Sequence, residues 1–195
     1  VGRLIRPSPG GEGMGDEGYF VPNTTKRVWD LSERGVMTSI EESLERLGMD
    51  RIDIAYIHDP DDHWDAAISG AIPALQKLRS EGVIGGFGAG MNQSEMVARF
   101  IREGDADVVM LAGRYTLLEQ HSLRDVFPAA EETGASVVIA GVYNSGLLSR
   151  PRPAADTHYN YEPAPAHIIA QVNRLADVCE RHGVTLPEAA LAFAL

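Results

Sequence analysis

The sequence contains a single cysteine and no long apolar run. Cys179 alone cannot form an intramolecular disulfide, and the longest apolar runs, residues 108–111 and 137–142, are far shorter than the roughly 20 residues that cross a bilayer. Residues 1–7 also lack the apolar core of a secretory signal. We therefore expect no membrane association and a cytoplasmic location.

Positive charge is also scarce. The chain has 17 Lys and Arg residues against 28 Asp and Glu residues, a net charge of −11, and no stretch gathers basic residues into a stripe. Because such a stripe is what neutralises a phosphate backbone, a nucleic-acid partner is not expected. The composition, 44% hydrophobic and 23% charged, is typical of a globular domain with one sizeable core.

Apolar runs alternate with segments of helical periodicity along the chain. Ser32 is placed to cap a helix that ends at Gly48, and Pro73 fits only the first turn of a later helix. The predicted strands are residues 52–57, 83–87, 107–111 and 136–140. Of the helices between them, one ends near residue 82, and the other two cover residues 94–102 and 122–133.

The flanking segments have different patterns. Residues 6–26 are rich in Gly and Pro and predict a surface loop, and a second loop begins at residue 150. Residues 166–182 predict an amphipathic helix, and a further helix starts at residue 186. The predicted apolar face of the amphipathic helix consists of Ile169, Val172, Leu175 and Val178.

Near-continuous apolar strands separated by amphipathic helices predict a parallel sheet covered by helices. A doubly wound sheet commonly carries a G-x-G-x-x-G loop, whereas residues 85–90 read GGFGAG. A (β/α)8 barrel is therefore favoured, and four strands are half of one. We expect an α/β fold in which residues 1–195 form a single incomplete TIM-barrel domain, truncated at both ends, with about four parallel strands and flanking helices.

The active site of such a barrel gathers at the carboxyl ends of the strands. The first predicted strand is directly followed by His58 and Asp59. With an ordinary pKa of about 6.5, a histidine here could polarise a carbonyl or exchange a proton. The alternative is a solvated loop in which Asp59 only starts a turn.

Three other polar groups follow predicted strands. Asn92 could bind the carboxamide of a nicotinamide, or belong to a simple turn. Arg114 and Tyr115 offer a cationic fork and an aromatic face, or a salt bridge and a packed ring. Residues 141–147 could present backbone N–H groups and the Ser145 hydroxyl to a pyrophosphate, or form a turn without a ligand. Cys179, flanked by acidic residues, is expected to be a packing residue.

Longer segments carry a family resemblance. Residues 42–58, ESLERLGMDRIDIAYIH, resemble the aldo-keto reductase signature that runs into the strand bearing the catalytic histidine. Residues 75–88 resemble the next helix and strand of that family, and residues 146–148 resemble the segment after its seventh strand. The stretches around His58, Asn92 and Ser145 are similar to the D-threo-aldose (L-fucose) dehydrogenase branch.

The resemblance implies hydride transfer between NADP or NAD and a small carbonyl or sugar substrate, with His58 as the catalytic histidine. Residues 1–3 resemble those that directly follow the family's catalytic lysine. The lysine, tyrosine and aspartate of its tetrad are thus expected upstream, and the adenosine-phosphate contacts downstream, so residues 1–195 alone should be inactive. The implied cofactor contacts are Asn92, Tyr143, Asn144, Ser145 and Gly146, the implied substrate contacts are Asp59 and Tyr115, and no metal is implied.

The sequence departs from the family at three places. The usual Ser-Asn pair is Met91-Asn92, and the tyrosine that stacks on nicotinamide in many members aligns near residues 140–141. The glutamine that often follows the sixth strand is absent from residues 112–114.

Two alternative functions remain open at this stage. One is a metal-dependent TIM-barrel hydrolase, with His58, Asp59, Asp61 and His63 as ligands of a divalent ion. Against it, a barrel site collects ligands from several strand ends, and the other predicted strands do not end in His, Asp or Glu. The other alternative is a non-catalytic, cofactor-binding regulatory subunit.

Overall fold

The computed structural model describes residues 1–13, 21–154 and 156–195. The chain divides into two compact units, Val1–Ala89 and Gly90–Leu195. In chain order the first unit holds β1 (Arg3–Pro7), β2 (Thr25–Trp29), α1 (Glu33–Leu47), β3 (Ile52–His58), α2 (Trp64–Ala66), α3 (Ile72–Ser80) and most of β4 (Ile84–Met91). The second holds α4 (Ser94–Glu103), β5 (Val108–Ala112), α5 (Val126–Thr133), β6 (Ser136–Ala140), β7 (His158–Tyr159), β8 (Glu162–Pro163), α6 (Ala166–Arg181) and α7 (Leu186–Ala194).

The N-terminal hairpin was not predicted. β1 and β2 pair antiparallel from Arg3↔Trp29 to Pro7↔Thr25, so the ends of the predicted loop at residues 6–26 belong to strands. Residues 14–20 of that loop lie outside the described residues. All five residues of β2 are exposed, and a strand that packs no side chain into a core carries no alternating apolar pattern in the sequence.

The helix predicted after Ser32 is confirmed with both of its caps. The Ser32 hydroxyl accepts a hydrogen bond from the Gly35 N–H, and Gly48 ends α1 with a φ of 66°, a left-handed conformation that glycine adopts without strain. Val36 and Ile40 bury the inner face of α1. β3 then begins at Ile52, as predicted.

The helix that contains Pro73 begins earlier than predicted. A 3₁₀ turn (Asp61–His63), α2 and a π-helical turn (Ala67–Ala71) lead without a break into α3. Pro73 does occupy the first turn of α3. Because proline has no N–H to donate, the wider π-helical turn directly before it accommodates the missing hydrogen bond.

The four predicted strands form one sheet in chain order, β3-β4-β5-β6. β4 pairs in parallel with β5 at Gly90↔Met110, and β5 pairs in parallel with β6 from Val108↔Ser136 to Ala112↔Ala140. β4 continues to Met91, four residues beyond the predicted end. Its Gly-rich sequence resembles a turn, but Gly88 and its neighbours in β4 are buried, and parallel pairing holds them extended.

The predicted helix over residues 122–133 is divided in two. Residues His121–Arg124 form a 3₁₀ turn, and α5 starts at Val126. Asp125 separates them: its carboxylate accepts from the Val126 N–H and from the Ser94 hydroxyl, at 2.7 Å in both cases. A side chain that bonds its own backbone in this way competes with the helix and marks its start.

The C-terminal helices α6 and α7 pack around a second apolar cluster, which contains Leu118, Leu147, Leu148, Val172, Ala176, Cys179, Leu186 and Ala190. The predicted face of α6 is therefore wrong in part, since Ala176 and Cys179 are buried and Val178 is 43% exposed. The smaller side chains let α6 approach the cluster closely. Cys179 is a buried, free thiol, which confirms its role in packing.

No helix among the described residues is long and apolar enough to cross a membrane.

The outer strands of the sheet expose apolar side chains. Ile54 of β3 is 46% exposed and Val138 of β6 is 38% exposed. Residues 1–195 expressed alone should therefore bind a hydrophobic dye, because exposed apolar surface and free strand edges favour association. The double substitution Ile54→Thr and Val138→Thr should reduce dye fluorescence more than Met49→Thr, which removes one exposed apolar side chain outside the sheet. Equal fluorescence in all three proteins would contradict this reading.

Candidate functional site

His58 is the last residue of β3, and its side chain reaches solvent. Ala55 and Ile57 are buried on one face of the strand, so His58, by alternation, belongs to the other face. Its imidazole is 54% exposed. The strand end is held by the His58 N–H, which donates to the Val1 carbonyl at 3.2 Å. The backbone is thus ordered at this point while the ring remains accessible.

Asp59 turns back toward His58. Its φ is 46°, in the left-handed region that Asp tolerates better than most residues. The Asp59 Oδ2 lies 3.3 Å from His58 Nε2 and 3.4 Å from Arg3 Nη2. The Arg3 guanidinium also lies over the Trp29 ring, 4.4 Å from its centroid. We call His58, Asp59, Arg3 and Trp29 the His58 group.

Asp61 and His63, the other residues of the hydrolase alternative, have different roles. Asp61 starts the 3₁₀ turn that leads to α2. His63 packs its ring against Trp29, with centroids 4.3 Å apart and an interplanar angle of 49°. Within the described part of the chain, no three His, Cys, Asp or Glu side chains are grouped so that they could hold a metal ion. The structure therefore gives no support to a metal-dependent hydrolase.

In the second unit, the ends of β5 and β6 meet through two glycines. The Gly113 N–H donates to the Ala140 carbonyl at 2.8 Å. A Cβ on Gly141, whose φ is 63°, would lie 3.1 Å from the Gly113 nitrogen. Both the conformation and the close approach favour glycine at position 141. The loop that follows β5 and the loop that follows β6 therefore start at the same height along the sheet.

Asn144 connects these two loops and is 4% exposed. Its Nδ2 donates to the Gly113 carbonyl at 3.1 Å. Its Oδ1 is buried and has no hydrogen-bond partner within the described structure. A buried acceptor without a partner costs free energy, on the order of 1–3 kcal/mol, and such a group is suited to a ligand that brings a donor.

The turn that follows β6 has fewer free N–H groups than we expected. Asn144, Ser145 and Gly146 all have positive φ values, 45°, 57° and 92°. The N–H groups of Asn144, Gly146 and Leu147 donate to carbonyls within the turn. The Ser145 side chain is exposed. A left-handed turn satisfies its own backbone, which is why the sequence alone overestimated the donors available to a pyrophosphate.

Asn92 and Tyr143 occupy intermediate positions. Asn92 is half-buried and directly follows β4, which extends beyond the strand predicted to precede it. Tyr143 packs at the edge of the C-terminal apolar cluster. Both residues lie where a strand of the sheet has just ended, and each keeps part of its side chain accessible.

Arg114 forms a salt bridge and Tyr115 is a packed ring, which were the alternatives to a role in the site for these two residues. Arg114 Nη1 donates to Asn160 Oδ1 at 3.0 Å and to Glu119 Oε2 at 3.4 Å. The Tyr115 ring packs between the rings of Phe127 and Phe193, with centroids 4.8 and 5.1 Å away. The guanidinium is thus engaged in a salt bridge, and the aromatic face of Tyr115 is covered.

Glu119 is a residue that the sequence analysis missed. It pairs with Arg114 and accepts a hydrogen bond from the Tyr159 hydroxyl. Burial raises the pKa of the Glu119 carboxyl above its usual value, against the opposing effect of the Arg114 and His121 charges. Because Tyr159 lies 40 positions away in the sequence, no local pattern could have indicated this contact.

Comparison with known proteins places the chain in a family. The model of the aldo/keto reductase family matches residues 21–195. The chain is 45% identical to D-threo-aldose 1-dehydrogenase from a Pseudomonas species and 40% identical to pyridoxal 4-dehydrogenase from Microbacterium luteolum. All of this chain is covered in both cases, but only 60% and 59% of those relatives.

The fold agrees with this result. The holo form of an aldo-keto reductase from Bacillus halodurans superposes with a TM-score of 0.62 at 26% identity, covering 76% of this chain and 48% of that one. The predicted fold class is therefore confirmed: the four-stranded sheet with its flanking helices is part of a (β/α)8 barrel. The chain belongs to the aldo/keto reductase family.

Proposed function

We propose that the protein carrying residues 1–195 transfers a hydride between a nicotinamide cofactor and a small carbonyl or alcohol substrate, an aldose oxidised at its anomeric carbon being the favoured one. The observation that carries the proposal is the exposed His58 imidazole at the carboxyl end of β3. An imidazole there can hydrogen-bond the substrate oxygen, whose charge changes as the hydride leaves. The dehydrogenase names of the two relatives agree with this reaction, and the name of the D-threo-aldose 1-dehydrogenase favours an aldose.

The residues at the ends of β4 and β6 fit a nicotinamide cofactor, NADP or NAD. The buried Oδ1 of Asn144 is an acceptor without a partner in the described structure, and a carboxamide N–H is a donor of the kind that it requires. Asn92 offers a second amide. When bound, the cofactor supplies the site that accepts or releases the hydride. The other proposed contacts are Tyr143, the Ser145 hydroxyl and Gly146.

Tyr115 is the proposed substrate contact on the chain, and Asp59, the other residue suggested by the sequence, is proposed to act through His58. Because the Tyr115 ring packs against two phenylalanines, we propose that its contact to substrate is made through its hydroxyl. We propose that the remaining acid/base groups and the adenosine-phosphate contacts lie outside residues 1–195, so these residues alone are inactive. The proposed compartment is the cytoplasm, in keeping with the single, buried thiol.

Replacing His58 tests the proposed chemistry in the full-length protein. His58→Ala should lower kcat/KM for sugar oxidation by about 30- to 1000-fold, equivalent to about 2–4 kcal/mol of transition-state stabilisation, since one hydrogen-bond partner of the substrate oxygen is removed. Cofactor affinity, measured by fluorescence titration, should change little. Unchanged turnover together with loss of a bound divalent metal would instead favour a hydrolase.

Replacing Asn92 tests the cofactor contact. Asn92→Ala in the full-length protein should weaken cofactor binding about tenfold, because a hydrogen bond worth about 1.4 kcal/mol is lost. Gln93→Ala is a matched control: it removes an exposed amide one position further along the chain and should leave the dissociation constant unchanged. Equal affinities for the two variants would remove Asn92 from the site.

A further inference from the structure

We propose that Asp59 and Arg3 are positioning residues that hold the His58 imidazole in its reactive orientation. This inference rests on the proposed function in one respect: His58 must act on the substrate oxygen. Nothing in the family resemblance assigns a role to Arg3, and Asp59 was expected to contact the substrate. In the structure, the Asp59 carboxylate lies beside the imidazole, and Arg3 contacts that carboxylate.

The backbone explains how two adjacent side chains can meet. Successive residues of a strand point to opposite faces, so the carboxylate after a strand-end histidine would normally point away from it. The left-handed conformation of Asp59, with a φ of 46°, breaks this alternation. It places Oδ2 3.3 Å from His58 Nε2. Non-glycine residues are strained in this region and persist where surrounding contacts stabilise them.

Arg3 supplies the contact that stabilises Asp59. Its Nη2 donates to Asp59 Oδ2 at 3.4 Å, on the same oxygen that faces the imidazole. The Asp59 Oδ2 atom therefore contacts both the Arg3 guanidinium and the His58 imidazole. This arrangement leaves the carboxylate little freedom to turn toward solvent.

Arg3 itself is held in place from several directions. The guanidinium lies over the Trp29 ring, a cation–π contact that is stronger where water is excluded. Its Nε is buried without a hydrogen-bond partner in the described structure. Just before it, the Gly2 carbonyl accepts from the Asp30 N–H at 3.0 Å. Gly2 has a φ of 99°, a conformation in which any other residue would be strained, and a Cβ there would lie 2.8 Å from Leu31 Cδ2.

The consequence for His58 is a defined ring orientation. Among the described residues, Asp59 provides the only charged contact to this exposed imidazole. Without it, the ring would be free to change rotamer, and ordering it on substrate binding would cost conformational entropy. The negative charge beside Nε2 also favours a proton on that nitrogen over Nδ1. A ring that donates from Nε2 to Asp59 keeps a fixed orientation at the strand end and leaves Nδ1 as the acceptor for the substrate hydroxyl.

The test uses Asp59→Asn in the full-length protein, because Asn keeps the shape of Asp and tolerates the same left-handed backbone. We expect kcat for sugar oxidation to fall about tenfold while the substrate KM and the cofactor affinity stay within about twofold, the pattern of an interaction that acts only on the reacting state. Arg3→Gln should produce the same change, and Arg3→Lys should restore part of it.

Asp53→Asn is the matched control. Asp53 belongs to the same strand and pairs with Arg51 at the same distance, 3.4 Å, but its side chain is 82% exposed. Removing this charge should not alter turnover. An equal loss of kcat in Asp53→Asn and Asp59→Asn would mean that general charge, not positioning, is responsible, and would overturn the proposal.

A second readout does not depend on catalysis. In ¹⁵N NMR spectra of the full-length protein, Asp59→Asn and Arg3→Gln should shift the two imidazole nitrogens of His58 toward values averaged over both tautomers, whereas Asp53→Asn should leave them unchanged. If the protein transfers no hydride, the proposed function fails while the NMR result still decides the positioning role. Identical His58 spectra in wild type, Asp59→Asn and Arg3→Gln would overturn it.

Discussion

The parallel register of β5 and β6 is the constraint on which the second unit depends. The two strands match residue by residue up to Ala112↔Ala140, so both loops begin at the same level. Gly113 and Gly141 must then pass each other closely, which explains why a side chain at residue 141 would collide with its neighbour. The same register brings Asn144 within reach of the Gly113 carbonyl. One backbone arrangement thus produces the buried amide that we propose as a cofactor contact.

A comparable constraint acts on the first unit, where the end of β3 depends on Asp59. The positive φ of Asp59 ends the strand and turns its carboxylate toward His58. Parallel strands need long connections, and those connections are helices that cover the sheet. At the strand ends, backbone turns such as the one at Asp59, rather than the helices, determine which side chains lie next to each other.

The sequence predicted the repeating elements well because their signals are local. Apolar runs, the Ser32 and Gly48 caps and the position of Pro73 all depend on residues within one or two turns. Prediction failed where tertiary contacts outweigh local pattern. The exposed strand β2 has no alternating apolar pattern, and the glycines of β4 resemble those of a turn. The buried face of α6 includes the small residues Ala176 and Cys179, which the predicted face did not.

The site was predictable in its residue types but not in its contacts. His58 and Asn92 follow strands as expected. The burial of Asn144, the closed hydrogen bonds of its turn and the contact of Glu119 with Tyr159 depend on backbone angles and on segments distant in sequence. Arg3 belongs to the same class, since it meets Asp59 across 56 positions of the chain.

Hydride transfer itself can be followed with an isotope. The full-length protein, incubated with oxidised nicotinamide cofactor and an aldose deuterated at its anomeric carbon, should yield reduced cofactor that carries the deuterium, because the hydride passes directly between the two carbons without exchange with water. Mass spectrometry of the cofactor measures this. Reduced cofactor without deuterium, or no reduction with any aldose, would contradict the account.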